Sequence, residues 1–329
     1  MIQLVYGSDD AYIFPTMVSA ASAAWHLAPG RSMVVHLFDA GVTDAHYEEY
    51  AKMVSSLHSH VSCVRHRLSS DMFKGFGTWR GSVVTYSRMF IGEILSDLNW
   101  AIYFDGDTLW VGDIGTLWDL RDETKLVQAS VDPPTPSGVL RADTQWYEER
   151  GMHLDPKEYL CMGLMLANLK RMRDERIPDR CRDFMARYPT PQLVDQTVLN
   201  YVCRGRTAAL PLQWGVFSSW HGTADLSGDG AIHYVNDVPW RRDKLNRLLS
   251  DIVLLWYEFG RHVLKEDYLL RYVGWWGRIW RRVVFLFLKK NQWILFLHPY
   301  LRRHLRNTHG LPQKQRKAVL SRFCNRAER

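Results

Sequence analysis

The stretch WAIYFDGDTLW, residues 100–110, decides how the rest of this chain is arranged. Its apolar first half has the β-branched and aromatic character of a buried strand, and Asp105 and Asp107 follow on either side of Gly106. Residues i and i+2 of an extended backbone point the same way, so both carboxylates can face one point beyond the strand, where Gly106 permits close approach. A bare Asp-x-Asp is more often a solvated turn. Because the Asp105–Asp107 pair directly follows a buried strand, the pattern favours a site for a hard divalent cation.

The composition describes a folded chain with two unlike parts. Hydrophobic residues make up 47% of the 329 residues and aromatic residues 13%, which argues against a disordered protein. Residues 241–329 carry 21 Lys and Arg against 6 Asp and Glu, whereas residues 1–240 carry an excess of acidic side chains. We expect one α/β domain in residues 1–240 and a basic helical region in residues 241–329. Such a region suits an anionic membrane surface or nucleic acid, and composition alone leaves both open.

The cysteines and the first residues bear on the compartment. The five cysteines are odd in number and lack the paired spacing of a zinc site or a disulfide framework, which favours a reducing compartment. The sequence opens on a strand-like pattern at residues 2–6, without the basic and apolar regions of a secretory signal. We therefore expect a cytoplasmic protein.

Strand-like and helix-like patterns alternate along the first part of the chain. Strands are predicted at 2–6, 32–38, 61–64, 100–104 and 126–131, and helices at 12–26, at 43–56 with a cap at Thr43, and at 82–95. This alternation is typical of α/β sheets, in which ligands bind beyond the carboxyl ends of the strands. The aspartates at predicted strand ends are Asp9, Asp10, Asp105, Asp107 and Asp132.

Several of these side chains also have simpler interpretations. Asp9 and Asp10 could cap the helix that follows them, and Asp132 could belong to a turn because two prolines follow it. Arg88 could be a solvated charge, although a guanidinium near strand-end carboxylates is typical of a phosphate or carboxylate clamp. None of these positions decides the function by itself.

Seven motifs together resemble the family 8 glycosyltransferases in order and spacing. They are YGSDDAY (6–12), TYSRMFIGEIL (85–95), YFDGDTLW (103–110), GLMLANLKRMR (163–173), DQTVLN (195–200), LPLQW (210–214) and HYVNDVPW (233–240). The match covers residues 1–240 and is similar to the bacterial lipooligosaccharide and lipopolysaccharide galactosyl- and glucosyltransferases and, more distantly, to glycogenin. The resemblance implies a GT-A fold, which is a Rossmann-like mixed sheet flanked by helices. It also implies a UDP-sugar donor, a manganese ion and retention of the anomeric configuration.

The resemblance assigns a metal site and a catalytic pair. Asp105 and Asp107 match the metal-binding pair of the family, and His233 matches its third protein ligand. An imidazole beside two carboxylates favours a transition ion such as Mn²⁺, with Mg²⁺ as the alternative. Asp195 and Gln196 match the pair that lies beside the donor sugar, and we expect them to be the catalytic residues.

The resemblance also assigns residues to the bound nucleotide-sugar. Tyr12 would stack on the uracil ring, Asp9 would hydrogen-bond it, and Arg88 would contact the donor. Asp132 matches a position near the acceptor. The full set expected at the nucleotide-sugar, besides the metal pair, is Tyr6, Asp9, Tyr12, Arg88, Gly106, Asp132, Cys161 and Asn236.

Some positions depart from the family pattern. Residues 161–163 read CMG where the family commonly has Asn-Ala-Gly or Asn-Ser-Gly, which leaves the donor sugar open among glucose, galactose and N-acetylhexosamine. The stretch HYVNDVPW is one residue shorter than its counterpart, with Asn236 in place of Gly and no Lys before Pro239. Ala11 replaces an Asn that contacts the nucleotide. A non-catalytic nucleotide-sugar or carbohydrate-binding protein on the same fold is therefore the alternative.

The expected mechanism follows from the leaving group. A divalent ion stabilises the charge that develops on the departing diphosphate without proton transfer. Retention then requires a double displacement or a short-lived oxocarbenium ion pair. Because an amide oxygen is weakly basic, Gln196 is a poor nucleophile, and we favour the ion-pair route with Gln196 stabilising positive charge at the anomeric carbon.

The C-terminal region has its own pattern. Apolar side chains at helical spacing in residues 243–272 fit ordinary packing on the first domain as well as a separate role. Residues 272–306 interleave aromatic and basic side chains, without an apolar run near the roughly 20 residues needed to cross a bilayer. This is typical of helices in the interface of an anionic membrane, and no recognised nucleic-acid motif accompanies it. We predict a peripheral protein on the cytoplasmic membrane face with a glycan or lipid-linked glycan acceptor, and leave the oligomeric state open.

Overall fold

The fold described here is that of a computed structural model. It describes residues 1–79, 81–132, 139–155, 158–218, 225–235, 238–240, 251–268, 271, 275, 279 and 312–324. Asn236 and almost all of residues 272–306 therefore lie outside the described residues, and the predictions that fall on them stay predictions.

A seven-stranded mixed sheet forms the centre of the molecule. The strands are β1 (Ile2–Ser8), β2 (Met33–Asp39), β3 (Val61–Arg67), β4 (Trp100–Phe104), β6 (Val127–Val131), β7 (Leu160–Asn168) and β8 (Thr207–Ala209), and they lie in the order β3-β2-β1-β4-β7-β6-β8. The half β3-β2-β1-β4 is parallel, β7 is antiparallel to both of its neighbours, and β8 pairs with β6 in parallel. The five strands predicted from the sequence are confirmed. Every residue of β4 and β7 is buried, as expected for central strands covered on both faces.

Helices cover both faces of this sheet. They are α1 (Ile13–His26), α2 (Asp44–Ser56), α3 (Ile91–Ile94), α4 (Ile114–Trp118), α5 (Val139–Glu148), α6 (Leu169–Asp174), α7 (Ile177–Arg187), α8 (Val194–Val202), α9 (Asp251–Phe259) and α10 (Gln313–Cys324). The cap predicted at Thr43 is confirmed, since its hydroxyl accepts a hydrogen bond from the backbone N–H of His46 at 3.3 Å.

The helix predicted at 82–95 has a different form. Residues Val84–Phe90 are a 3-10 helix, and only the single turn α3 that follows is α-helical. The apolar spacing that suggested a helix repeats at i and i+3, which both helix types share, so the pattern alone could not separate them.

A small second sheet carries part of the candidate site. Strands β5 (Thr108–Trp110), β9 (Trp214–Phe217) and β10 (Ala231–His233) lie in the order β5-β10-β9. The backbone N–H of Tyr234 donates to the carbonyl of Asp107 at 2.8 Å, which extends the antiparallel pairing of β10 with β5. This pairing fixes the distance between two chain segments that are far apart in the sequence.

Parts of the C-terminal region pack into the main core. Leu255, Trp256 and Phe259 of α9 are buried, and Phe259 contacts Phe323 of α10 with a ring separation of 5.4 Å. The indole N–H of Trp25 in α1 donates to the backbone carbonyl of Arg322 at 3.0 Å. For the described part of residues 243–272, the interpretation as ordinary packing is confirmed. Among the residues that the structure describes, none of the helices combines the length and the hydrophobicity that a membrane span requires.

Candidate active site

The carboxyl end of β4 and the small sheet bring two carboxylates and an imidazole together. Asp105 follows β4, Asp107 precedes β5, and His233 is the last residue of β10. The Nε2 of His233 lies 3.2 Å from Asp107 Oδ1 and 3.7 Å from Asp105 Oδ2. One ligand atom from each residue lies within 4.8 Å of the others, and we call these three residues the triad.

Gly163 on β7 makes room for the triad. A Cβ atom at this position would lie 2.4 Å from His233 Cε1 and 2.6 Å from Asp105 Oδ2, closer than side chains tolerate. The backbone N–H of Asp105 also donates to the Gly163 carbonyl at 2.8 Å. A glycine is therefore required for β7 to pass directly beneath the two ligand side chains.

Arg88, in the 3-10 helix, joins the triad to Asp195. Its Nη2 lies 2.7 Å from Asp105 Oδ1, and its Nη1 donates to the Met162 carbonyl at 2.7 Å. Its Nε lies 2.9 Å from Asp195 Oδ2 as an ion pair, while the Nε hydrogen bond is directed to the Thr85 carbonyl. Burial opposes the charge of Arg88, but Asp105 and Asp195 outweigh this effect and raise the pKa of the guanidinium. The guanidinium is therefore a permanent cation between two carboxylates.

The ionisation of the triad reflects its burial and its neighbours. Burial raises the pKa of Asp105 to about 6, against the opposing effect of Arg88. Burial also acts to raise the pKa of Asp107, but the adjacent His233 outweighs it and lowers that pKa overall. For His233, burial acts to lower the pKa, and Asp107 raises it well above its ordinary value. The triad thus attracts positive charge, supplied either by a proton on His233 or by a bound cation.

The donor atoms of the triad fit a divalent transition ion. Two carboxylate oxygens and one imidazole nitrogen form a mixed oxygen and nitrogen set, and they leave other coordination positions open. The space that Gly163 leaves beside His233 and Asp105 would be filled by any Cβ. Asp105, Asp107 and His233 are the residues that would hold the ion, as predicted from the resemblance.

The neutral amide of Gln196 lies at the centre of a second set of contacts. Its Nε2 donates to Asp132 Oδ2 at 3.0 Å and to the Tyr159 hydroxyl at 3.1 Å, and its Oε1 accepts from the Met162 backbone N–H at 3.2 Å. The Tyr159 hydroxyl in turn donates to Asp143 Oδ2 at 2.7 Å. We call Gln196, Asp132, Tyr159 and Asp143 the amide network. Burial raises the pKa of Asp132 to about 6, and the hydrogen bond from Gln196 partly offsets this rise.

The backbone immediately before Asp195 and Gln196 is strained. Val194, which immediately precedes Asp195, has φ of +43°, a left-handed conformation that a β-branched residue rarely adopts. Such a conformation costs on the order of 1–3 kcal/mol and persists only where the surroundings enforce it. The strain occurs where α8 begins and presents Asp195 and Gln196 in succession.

Cys161 lies between the triad and the amide network. Its Sγ is 3.9 Å from Nδ1 of His233, on the side of the ring opposite the carboxylates. The next residue, Met162, binds Gln196 through its N–H and Arg88 through its carbonyl. The predicted position of Cys161 within the site is therefore consistent with its contacts.

The N-terminal residues assigned to the nucleotide have mixed placements. Asp9 and Tyr12 are half-buried beyond the end of β1, where Asp9 Oδ1 accepts from the Tyr12 N–H at 3.0 Å, a turn contact of the kind considered as its simpler role. Asp10 instead binds α2, through the Thr43 N–H at 2.9 Å and the His46 imidazole at 2.7 Å. Asp10, in the turn between β1 and α1, therefore contacts the N-terminus of α2.

The prediction for the Tyr6 side chain requires correction, and Gly106 makes a close approach that was not predicted. Tyr6 is fully buried, and its hydroxyl bonds with Ser19 at 3.0 Å and with the Trp110 indole at 3.0 Å, because β1 directs this side chain toward α1. Its side chain therefore lies in the core and away from the predicted nucleotide site. The close approach permitted by Gly106 is to α1, since a Cβ there would lie 2.3 Å from the Thr16 hydroxyl.

Some residues of the site were not predicted from the sequence. The Tyr159 hydroxyl accepts a hydrogen bond from Gln196 and donates one to Asp143. The Thr85 hydroxyl donates to Asp195. Thr85 opens one of the seven motifs, which was the available signal for it. Asp143 carries no such signal, because it lies on a helix of ordinary polar composition.

Comparison with known proteins identifies the sequence pattern. The sequence profile described as glycosyl transferase family 8 matches residues 3–244. A curated protein of Haemophilus influenzae (strain ATCC 51907 / DSM 11121 / KW20 / Rd), named a glycosyltransferase with no substrate specified, is 25% identical over 126 residues. The aligned region is 38% of this chain and spans only 36% of the length of that relative.

Solved structures share the architecture. The bifunctional glycosyltransferase WbbM, in its apo form, has a TM-score of 0.62 at 19% identity, covering 74% of this chain and 47% of WbbM. The galactosyltransferase LgtC, solved with donor and acceptor sugar analogues, has a TM-score of 0.60 at 23% identity, covering 74% of this chain and 90% of LgtC. GlyE of Streptococcus pneumoniae TIGR4 has a TM-score of 0.58 at 16% identity, covering 84% of this chain and 63% of GlyE. At these identities the likeness shows the fold, and the predicted GT-A fold is confirmed.

Proposed function

Because this chain belongs to glycosyltransferase family 8, we propose that it is a retaining, Mn²⁺-dependent hexosyltransferase that moves glucose or galactose from a UDP-sugar to a glycan or glycolipid acceptor. The observation that carries the proposal is the triad, in which Asp105, Asp107 and His233 converge at the carboxyl end of β4. Oxygen and nitrogen donors at the edge where α/β sheets bind their ligands suit an ion that also binds a diphosphate. A bound ion would supply the positive charge that stabilises the departing diphosphate.

The residues around the triad have separate roles in this proposal. Arg88 holds Asp105 and Asp195 in fixed positions, because it contacts both carboxylates from a buried position. Asp9 and Tyr12 bind the uracil beyond the end of β1. Gln196 faces the anomeric carbon and stabilises its developing positive charge, and Asp132 orients the acceptor.

The contacts of Gln196 support an ion-pair route to retention. Its amide oxygen accepts a hydrogen bond from the Met162 N–H, and its amide nitrogen donates to Asp132 and Tyr159. An amide oxygen that is weakly basic and already engaged by a donor is a poor nucleophile for double displacement. In the ion-pair route the leaving phosphate accepts the proton of the acceptor hydroxyl.

The experiment that tests the proposal is a donor screen with the purified chain. UDP release from UDP-glucose, UDP-galactose and UDP-N-acetylglucosamine is measured with MnCl₂, with MgCl₂ and after EDTA treatment. We expect metal-dependent UDP release with one hexose donor preferred, and its loss in EDTA. Tight UDP-sugar binding without any UDP release, with or without candidate acceptors, would favour the alternative of a non-catalytic nucleotide-sugar or carbohydrate-binding protein.

We further propose that the basic C-terminal region attaches the enzyme to the cytoplasmic face of the membrane, where it acts in bacterial surface-glycan synthesis. Trp275 and Ile279, the two described residues between 272 and 306, are both helical, and 66% and 45% of their surfaces are exposed. Exposed aromatic and aliphatic side chains on a basic helix are typical of an interfacial helix. An enzyme held there would meet a lipid-linked acceptor by diffusion in two dimensions.

Liposome co-sedimentation tests this attachment. We expect binding to vesicles with anionic lipid, weakened by salt because attraction between charges fades beyond a Debye length of about 8 Å at physiological ionic strength. The variant Trp275→Ala/Ile279→Ala should bind less at every salt concentration. Equal partitioning onto neutral and anionic vesicles, or no binding at low salt, would contradict the membrane proposal without affecting the proposed reaction.

A further inference from the structure

A buried chain of hydrogen bonds continues from Gln196 into the protein interior. The hydroxyl of Tyr159 accepts from Gln196 Nε2 at 3.1 Å and donates to Asp143 Oδ2 at 2.7 Å. Asp143 is fully buried, and Tyr159 retains only 2% of its surface exposed. The hydrogen bonds described for these two side chains reach the candidate site through Gln196.

Asp143 determines the direction of these hydrogen bonds. Its second oxygen, Oδ1, accepts from the Thr197 hydroxyl at 2.7 Å, and Thr197 is the residue that follows Gln196 on α8. Both oxygens of Asp143 therefore act as acceptors, and the Tyr159 hydroxyl is oriented as a donor toward Oδ2. The remaining lone pairs of that hydroxyl are then directed toward the amide nitrogen of Gln196.

The amide of Gln196 consequently has one favourable orientation. With Nε2 toward Tyr159 and Asp132, two acceptors receive its two hydrogens, and Oε1 receives the Met162 N–H. A reversed amide would place its oxygen against the Asp132 carboxylate and its NH₂ group against the Met162 N–H. Both contacts would then be repulsive, because each would pair two acceptors or two donors.

We propose that Tyr159 and Asp143 are positioning residues for sugar transfer, which act by holding the Gln196 amide in this single orientation. The inference rests on the proposed role of Gln196 at the anomeric carbon. It extends that role to two buried residues that contact neither the triad nor the nucleotide positions Asp9 and Tyr12.

Removal of one hydroxyl tests the proposal. In Tyr159→Phe the ring remains, but Gln196 loses one acceptor and its amide gains rotational freedom. Small displacements of a positioned group can lower rates by up to about 100-fold, and we expect a fall in kcat of about 10-fold with the KM for the UDP-sugar unchanged within about twofold. The assay uses the full chain with MnCl₂ and the preferred hexose donor.

Tyr147→Phe is the matched control. The Tyr147 hydroxyl is equally buried and donates to the backbone carbonyl of Thr197, on the same turn of α8, but it makes no contact with Gln196. This variant loses a buried hydroxyl and some thermal stability, and we expect it to keep the wild-type kcat. Equal losses of kcat in Tyr159→Phe and Tyr147→Phe would reduce Tyr159 to a general structural residue and overturn the proposal.

A double variant decides whether Tyr159 acts through Gln196. In a Gln196→Ala background, Tyr159→Phe should change kcat by less than about twofold, since coupled residues are not additive. A full additional 10-fold loss in that background would overturn the positioning role. If Gln196→Ala alone kept the wild-type kcat, the proposed role of Gln196 would fail instead, so the two failures can be told apart.

Asp143→Asn provides a second route if Tyr159→Phe folds poorly. The asparagine keeps the size of the side chain but can no longer accept from both Tyr159 and Thr197. We expect the same pattern in smaller measure, with kcat lowered about threefold to tenfold and the donor KM unchanged. A raised donor KM at constant kcat would contradict the proposal, because it would show an effect on nucleotide binding.

Discussion

The triad and the amide network lie side by side in the candidate site, and they differ in how completely their polar groups are paired within the protein. The triad places two carboxylates against one imidazole, with Arg88 bound to only one of the carboxylates. In the amide network, by contrast, both ends of the Gln196 amide and the Tyr159 hydroxyl have partners within the protein. The triad is therefore incomplete without added positive charge, whereas the network is complete in the protein alone. Substitutions should accordingly change ligand binding on the triad side and stability or orientation on the network side.

The largest expected effect is the loss of a triad carboxylate. We predict that Asp107→Ala lowers transfer at least about 100-fold and abolishes Mn²⁺-dependent UDP binding, because one ligand and one negative charge are removed. Asp105→Ala should have the same effect on activity. Asp107 gives the cleaner result, because Asp105 also contacts the buried Arg88. Calorimetry of UDP with and without MnCl₂ measures the binding, and circular dichroism checks the fold. Near wild-type turnover in a folded Asp107→Ala variant would refute the metal assignment.

A somewhat smaller effect is expected from filling the space beside the triad. In Gly163→Ala the new methyl group would meet His233 and Asp105 at 2.4 and 2.6 Å, so one or both must move. We predict that Mn²⁺ affinity falls about 10- to 100-fold, the range typical when the support of a metal ligand is lost. Mn²⁺ binding can be followed by electron paramagnetic resonance without any turnover.

Gly228→Ala is the control for this prediction. Gly228 is exposed, and a Cβ there would have no heavy atom within 4 Å. We expect unchanged Mn²⁺ affinity in this variant. If Gly163→Ala bound Mn²⁺ as tightly as Gly228→Ala does, the triad would be looser than its contacts indicate, and the contrast with the amide network would weaken.

The amide network should make the stability of the protein depend on pH through Asp132. Burial raises the pKa of Asp132 from 3.8 to about 6, so the folded protein binds a proton there more readily than the unfolded chain does. The stability associated with this proton is fully present below about pH 4 and is lost as the pH rises through about 6. Asp132→Asn is neutral at every pH and can still accept the hydrogen bond from Gln196. We predict that it is more stable than the wild type at pH 7.5 by up to about 2 kcal/mol, and equal to it near pH 4.

Urea unfolding at both pH values measures this difference. Asp119→Asn serves as the control of opposite sign, because hydrogen bonds from Arg31 lower the pKa of Asp119. That variant should lose a little stability at pH 7.5, where the exposed ion pair of the wild type is formed. If Asp132→Asn were less stable than the wild type at pH 7.5, the Asp132 carboxylate would be better solvated or better paired than its burial implies.

The parts of the site that the sequence predicts are those set by local pattern. The strand before Asp105 is apparent from five consecutive apolar residues, and the placement of both aspartates follows from its end. The family resemblance added His233, whose position depends on the pairing of β10 with β5 across more than a hundred residues. No local pattern could have predicted that contact. Tyr159 was missed for the same reason, since its partner Gln196 lies on another element.

The wrong prediction for Tyr6 has a physical lesson as well. Tyr6 belongs to a motif whose neighbours Asp9 and Tyr12 lie beyond the strand, and it was assigned with them. Within a strand, however, alternate residues share a face, and Tyr6 alternates with Leu4 and Ile2, which are buried against α1. Strand periodicity would have placed Tyr6 in the core. Residues of one motif lie close together in the sequence, but the motif does not determine the direction in which each side chain points.

The smallest expected effect concerns Cys161, which lies between the triad and the amide network. Its Sγ contacts His233 at 3.9 Å, while the neighbouring Met162 backbone binds both Gln196 and Arg88. Cys161→Asn replaces a weak hydrogen-bonding group with a strong donor and acceptor at the junction of the two. We predict that it changes the ranking of UDP-glucose, UDP-galactose and UDP-N-acetylglucosamine more than it changes UDP affinity, because the position is expected to face the sugar. Discrimination of about 1–2 kcal/mol, or roughly 5- to 30-fold in kcat/KM, is typical of one hydrogen-bonding group.

Cys161→Ser separates polarity from size in this test. The serine hydroxyl is close in size to the thiol, so it should keep the wild-type ranking of donors if the added reach of the Asn amide is what changes it. UDP affinity measured by calorimetry with MnCl₂ should stay within about twofold in both variants, since no nucleotide contact is assigned to this position. A uniform loss across all three donors, together with weaker Mn²⁺ binding, would place Cys161 on the triad side as a support for His233. The boundary between the triad and the amide network would then lie at Met162.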